Sequence, residues 1–282
     1  MFPRLRETIR QHQLVSFFLI AFGWTWVYDG IVFLTVGSSP GILVRGVVRA
    51  WGPLIAGIIV TWTTDGDIRT YLGQVTNWRV KPRWYVLAVV LPFVLNGTLA
   101  VSVVHLFNGG DIQIAPSPWW HYVVGFLVVL FLAGSLEEFG WRGFAQPRLQ
   151  ERYSSLAAAI GIGVAWTLWH FPLFYLFDVA AYDASGFWTT YLFTLVVQSI
   201  VYAWLYNSTG GGLLFPMLAH SLGNLPPLVE PVGDAGRFAQ NLPDLLSILL
   251  VVALVAFYGR KYLSSATPKP RIPGATRDTR KN

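Results

Sequence analysis

Apolar residues in this chain fall in long, nearly unbroken runs. They do not alternate along the chain as they do in half-buried strands. Eight runs stand out, at 14–36, 47–63, 84–107, 119–140, 156–178, 187–206, 211–229 and 244–262. Most reach or approach the roughly 20 residues that cross the hydrocarbon core of a bilayer as a helix. Strands of a membrane barrel would instead alternate over about 10 residues, so helices are the expected elements. The seventh run contains Pro216 and ends near Pro226 and Pro227, which predicts a kink there. The pattern predicts an all-α, polytopic transmembrane helical bundle of about eight spans.

Composition supports the membrane class. Of the 282 residues, 54% are hydrophobic and only 12% charged, with a mean hydropathy of +0.50. A typical soluble domain carries about 25% charged residues. There are no cysteines, which excludes disulfide scaffolds, thiolate metal sites and a cysteine nucleophile. Arg4, Arg6 and Arg10 precede the first run, which lacks a small-residue cleavage site, so that run is read as a span that stays attached. The chain divides into N-terminal transmembrane helices (1–118), a motif-bearing core (119–229), a last span (230–263) and a basic tail (264–282). The tail is rich in Pro, Thr, Lys and Arg without apolar periodicity, a composition that predicts disorder.

Charge placement gives an expected orientation. Arg4, Arg6 and Arg10 lie before the first run, and Arg69, Arg79, Lys81 and Arg83 lie between the second and third. Arg142, Arg148 and Arg152 follow the fourth, and seven more basic residues lie from Arg260 onward, at the end of the eighth and beyond it. The intervening segments hold only Arg45, Arg49 and Arg237. By the positive-inside rule both termini face the cytoplasm, and the net charge of +6 reports lipid contact and orientation without calling for nucleic acid. Trp78, Trp84, Trp119 and Trp120 near run ends suit interfacial anchoring.

Ionisable side chains inside membrane spans are costly and are the first candidates for function. Three clusters lie between residues 137 and 224. In Glu137-Glu138-Phe139-Gly140-Trp141-Arg142, Glu138 and Arg142 share a face at i,i+4 and can pair. Glu137 points about 100° away and has no evident local partner, which suits a general base; a charged helix end at the interface is the plainer explanation. His170 sits in Trp166-Thr167-Leu168-Trp169-His170 behind more than ten apolar positions, and a hydrogen-bonded packing histidine is the plainer reading. His220 and Asn224 share a face and can both donate to one oxygen, as an oxyanion site requires, although polar contacts between membrane helices often look the same. Together the clusters put two carboxylates, two histidines and an amide on three spans. Asp29 and His105 lie outside them, and packing roles are expected for both. Glu137 falls near the cytoplasmic end of its run and His170 deep in its own, so their meeting requires a later helix start or a strong tilt.

Glu137-Glu138-x-x-x-Arg142, then Trp166-x-x-x-His170, then His220-x-x-x-Asn224 resemble, in type and order, the motifs of the CPBP intramembrane proteases. That family includes the type II CAAX prenyl endopeptidases (Rce1-like) and the bacteriocin-immunity-type Abi proteins. The resemblance covers about residues 120–228, and the second motif usually begins with Phe where Trp166 stands here. It implies an intramembrane endopeptidase of the cell membrane. The implied substrate is a membrane-associated peptide or lipidated protein, of the prenylated CAAX type. It also implies roles: Glu137 activating water, His170 holding it, Glu138 and Arg142 orienting Glu137, and His220 with Asn224 stabilising the oxyanion. The family has been described both as metalloproteases and as metal-independent glutamate proteases. If a metal is bound, Glu137, His170 and His220 are the implied ligands and zinc the implied ion. Two other functions fit the residues alone. One is a transporter or proton relay, which often carries internal repeats that are not evident here; the other is a non-catalytic immunity-type membrane protein.

The orientation is testable directly. Reporter fusions at residues 110 and 282 are expected on opposite sides of the membrane, and finding both on one side contradicts the eight-span layout.

Overall fold

The computed structural model describes residues 3–178 and 184–264; the basic tail lies almost wholly outside the described residues. The chain is a helical bundle. A surface helix α1 (Pro3–Gln11) leads into α2 (Gln13–Val36), followed by a short α3 (Ile42–Gly46), α4 (Gly52–Thr63) and a short α5 (Ile68–Leu72). Then come α6 (Arg83–Asn96), α7 (Thr98–Phe107), α8 (Trp119–Leu132), and the short α9 (Glu137–Gly140) and α10 (Gln146–Leu149). The second half holds α11 (Ser155–Trp169), a short α12 (Phe171–Tyr175), α13 (Leu192–Ser208), α14 (Leu214–Gly223) and α15 (Gly236–Tyr258).

Among the described residues, five helical stretches are long and apolar enough to cross a membrane: Gln13–Val36, Ile42–Thr63, Trp119–Leu149, Ala184–Ser208 and Gly236–Tyr258. The pair α6 and α7, bent by 58°, makes a sixth if counted as one span. The two other expected spans are built of shorter pieces. α11 stops at Trp169 and gives way to α12, which has Pro172 in its first turn. α14 is only 10 residues long, about 15 Å by helical rise. Pro216 does not kink it, because it lies in the first turn, where a missing N–H costs nothing. The fourth run reaches well beyond residue 140, to Leu149.

A two-stranded antiparallel ribbon is the exception to the helical plan. β1 (Ile112–Ile114) pairs with β2 (Val229–Pro231), with Gln113 opposite Glu230. It ties the segment before α8, the helix that leads into the first polar cluster, to the segment after α14, which carries the third. His105 on α7 joins this corner through a 3.1 Å contact between Nε2 and the Val232 carbonyl, the packing role expected of it.

The core lies where α11 packs along α13, α2 along α4 and α14 along α6. Trp84 is not an interfacial anchor: it is buried and meets Trp204 edge-on at 5.2 Å. Arg49 is not a loop charge that reports orientation either. It is 3% exposed and its Nε lies 3.2 Å from both oxygens of Asp29 on α2. Its guanidinium lies over the Trp169 ring at 4.2 Å, and its carbonyl accepts from Thr25 Oγ1 at 2.8 Å. The packing role expected of Asp29 is thus that of partner to a buried guanidinium. Asp29 balances a buried cation, and removing one member of a buried ion pair costs about 3–5 kcal/mol. Asp29→Asn is expected to lower the thermal unfolding midpoint in detergent clearly, whereas Asp29→Leu combined with Arg49→Met lowers it much less. Wild-type melting of Asp29→Asn contradicts this reading.

Candidate active site

The first polar cluster owes its geometry to an interrupted span. α8 ends at Leu132, and Ala133 leaves the helical region with φ −129° and ψ −130°. A 3₁₀ turn, Gly134–Leu136, restarts the helix as α9, followed by a wider π turn over Trp141–Ala145 and then α10. Irregular backbone at membrane depth is tolerated only where the protein satisfies it. Here side chains do so. Trp51 Nε1 donates to the Leu132 carbonyl (2.7 Å), Ser135 Oγ to that of Leu130 (2.6 Å), and Tyr71 Oη to that of Phe139 (2.9 Å). The close approach of α9 to α4 also needs Gly140: a Cβ there would stand 2.3 Å from Pro53 Cβ.

The interruption turns Glu137 and Glu138 into the protein, where they are 3% and 0% exposed. Glu138 accepts from His220 Nδ1 at 2.8 Å and lies 3.1 Å from Arg142 Nη1. Arg142 Nε and Nη2 have no hydrogen-bond partner among the described residues. The cation instead lies over the rings of Trp166 (5.1 Å) and Tyr202 (5.2 Å), an arrangement that stabilises a desolvated guanidinium. Glu137 is not without a partner. Its Oε2 accepts from Trp166 Nε1 at 2.6 Å and lies 3.3 Å from Trp141 Nε1.

His170 closes the C-terminus of α11. Its Nδ1 is 2.9 Å from the Trp166 carbonyl. A carbonyl only accepts, so Nδ1 carries the proton and a neutral His170 presents a lone pair at Nε2. Trp166 thus holds both candidates, Glu137 through its indole and His170 through its backbone. The His220 ring packs against Trp166 (5.2 Å) and Tyr202 (5.9 Å). Asn224 caps α14 and is exposed rather than buried with the others. Its Nδ2 nevertheless points at the place that His220 Nε2 reaches: both nitrogens lie 2.9 Å from where a Cβ would stand on Gly134.

Glu137 and His170 are both tied to Trp166, the first through its indole N–H and the second through its carbonyl. α10 and α11 are joined by a short turn at 150–154, and the two residues lie roughly 18 and 22 Å back from it at 1.5 Å per residue. The longer fourth span, invisible in the run of apolar letters because charged and polar residues interrupt it, brings them level. All six residues singled out from sequence are therefore drawn into one neighbourhood of α9, α11 and α14. Spacing missed four others. The indole N–H groups of Trp141 and Trp166 look like packing in sequence, although Trp141 stands at i+4 from Glu137. Tyr202 lies against His220 and Arg142. Arg49 lies over the ring of Trp169, the neighbour of His170.

A catalytic zinc needs three such side chains to converge. Among the described residues no three His, Asp or Glu side chains come together in that way. Glu137, His170 and His220 as arranged here do not fit a zinc site, and the chemistry below is derived from the side chains alone.

Residues 118–226, the stretch holding all three clusters, match the Rce1-like family, described as type II CAAX prenyl endopeptidase Rce1-like. CAAX prenyl protease 2 of Methanococcus maripaludis is 30% identical over 247 residues, covering 83% of this chain and 84% of that protein. The likeness thus extends over most of the chain, well beyond the motifs. This multi-pass membrane protein belongs to the Rce1-like family of type II CAAX prenyl endopeptidases and is a protease.

Proposed function

We propose that the chain is a glutamate-type intramembrane endopeptidase that cleaves a prenylated CAAX-type protein or peptide held at the membrane. The cell membrane is its expected location, with both termini and the water supply on the cytoplasmic side. The observation that carries the mechanism is the approach of two polar chains to one spot. His220 Nε2 and Asn224 Nδ2 close on Gly134, while the Trp166 indole touches the His220 ring and holds Glu137.

Glu137 takes a proton from water, and the lone pair at His170 Nε2 accepts the other O–H, so the water oxygen is aimed and made nucleophilic. The oxygen attacks the scissile carbonyl carbon. Asn224 Nδ2 and a protonated His220 Nε2 donate to the oxygen that gains charge, which is the transition-state stabilisation that accelerates acyl transfer. As the C–N bond breaks, Glu137 returns its proton to the departing amine. Glu138 holds His220 Nδ1 and is itself held by Arg142, so its part is to fix the imidazole. This differs from the role implied by resemblance, in which Glu138 and Arg142 orient Glu137. The buried cluster of Arg142, Trp166 and Tyr202 excludes lipid and solvent from the back of the site.

The test is cleavage of a farnesylated CAAX peptide and its unprenylated twin by purified protein, with and without a chelator. Glu137→Gln keeps the shape and removes the base, and turnover is expected to fall at least about a hundredfold. Trp166→Phe keeps the ring and removes only the N–H; losing a hydrogen bond of about 1.5–3 kcal/mol to a charged group lowers turnover roughly 10- to 100-fold. Full turnover by a folded Glu137→Gln variant contradicts the mechanism, and loss of wild-type activity to the chelator contradicts its metal-free form.

A further inference from the structure

Gly134 lies outside the three motifs. It begins the 3₁₀ turn that follows Ala133, the residue at which the span breaks, and it is buried. Its backbone is not in the left-handed region, so nothing in its conformation demands glycine. Its surroundings do. A Cβ on Gly134 would stand 2.9 Å from Asn224 Nδ2, 2.9 Å from His220 Nε2 and 3.5 Å from His220 Cδ2. The first two are closer than side-chain carbons approach other heavy atoms. Both nitrogens therefore rest against bare backbone, and their separation is at most twice that distance.

The two neighbours differ in their freedom to yield. The His220 ring is fixed by Glu138 at Nδ1, by the stacked ring of Tyr202 and by an edge contact with Trp166. Asn224 is the exposed end of a flexible side chain. A methyl group at 134 would push the amide away from the imidazole while leaving the rest of the site in place.

We propose that Gly134 is a positioning residue for the reaction: its bare Cα is the floor against which His220 Nε2 and Asn224 Nδ2 close on the scissile carbonyl oxygen. The inference rests on the assignment of those two side chains to the oxyanion in the proposed function. A side chain at 134 is then expected to slow turnover while leaving substrate capture intact.

The experiment measures kcat and KM for a farnesylated CAAX peptide on full-length protein in detergent, for wild type, Gly134→Ala, Asn224→Ala and His220→Ala. Removing one oxyanion donor typically costs a hundredfold or more in kcat. Gly134→Ala, melting as the wild type does, is expected to lose at least tenfold in kcat with KM within threefold. A loss smaller than tenfold, or one carried by KM, overturns the proposal. Should Gly134→Ala not fold, the wild type decides. Donors held against a rigid floor accept the larger sulfur of a thioamide at the scissile bond poorly, so turnover drops at least tenfold, and a smaller drop overturns the inference. Full turnover by Asn224→Ala and His220→Ala removes the oxyanion reading itself. Loss in those two with retention in Gly134→Ala removes only the role of Gly134.

Discussion

A fully buried carboxylate in a membrane bundle must find its counter-charges within the protein, since neither water nor lipid supplies them. Glu138 finds Arg142 one helical turn on, and a hydrogen bond from His220 Nδ1 on α14. That shared carboxylate is the constraint from which the rest of the site follows. It fixes α14 against α9, fixes the imidazole so that Nε2 faces the Gly134 turn, and requires a guanidinium that must itself be stabilised. Trp166 and Tyr202 do that with their ring faces. Trp166 in turn holds Glu137, so both carboxylates are tied to one aromatic wall.

Such a cluster needs an unusual backbone. A straight helix from Trp119 to Leu149 would leave no free turn beside His220. The break at Ala133 and the wide turn after Gly140 create the space, and side chains from α4, α5 and their flanks close the exposed carbonyls. Those flanks come from the N-terminal half, so the first spans do more than anchor the motif-bearing core. Arg49 and Asp29 belong to the same half and bring a buried ion pair up against Trp169, next to His170.

Much of this was legible in the sequence. Continuous apolar runs predicted a helical membrane bundle. The i,i+4 spacing of Glu138 and Arg142 predicted their pair, and three polar clusters in apolar surroundings marked the site. Contacts between distant segments were not legible. The bond from Glu138 to His220 spans 82 positions, and no local spacing encodes it. Trp166 was readable only as an aromatic, because a donor at an indole nitrogen matters only once its acceptor is located. Arg49 was read as a loop charge since its partner, Asp29, lies on the preceding helix. Span ends were obscured where proline and charge interrupt hydropathy, as at 140–149 and 211–229. The ordered motifs supplied what spacing lacked, and the enzyme reading takes precedence over the transporter and immunity readings because the family is one of endopeptidases and a relative matched over most of the chain is named a protease.

The central claim is that Glu138 acts through His220 rather than through Glu137. A double-mutant cycle on kcat/KM for a farnesylated CAAX peptide tests it most directly, using Glu138→Gln, His220→Ala and the double variant. If the carboxylate serves the imidazole, the double variant is no more than threefold slower than His220→Ala alone. If the two losses multiply, Glu138 has a separate role and the account of the site is wrong.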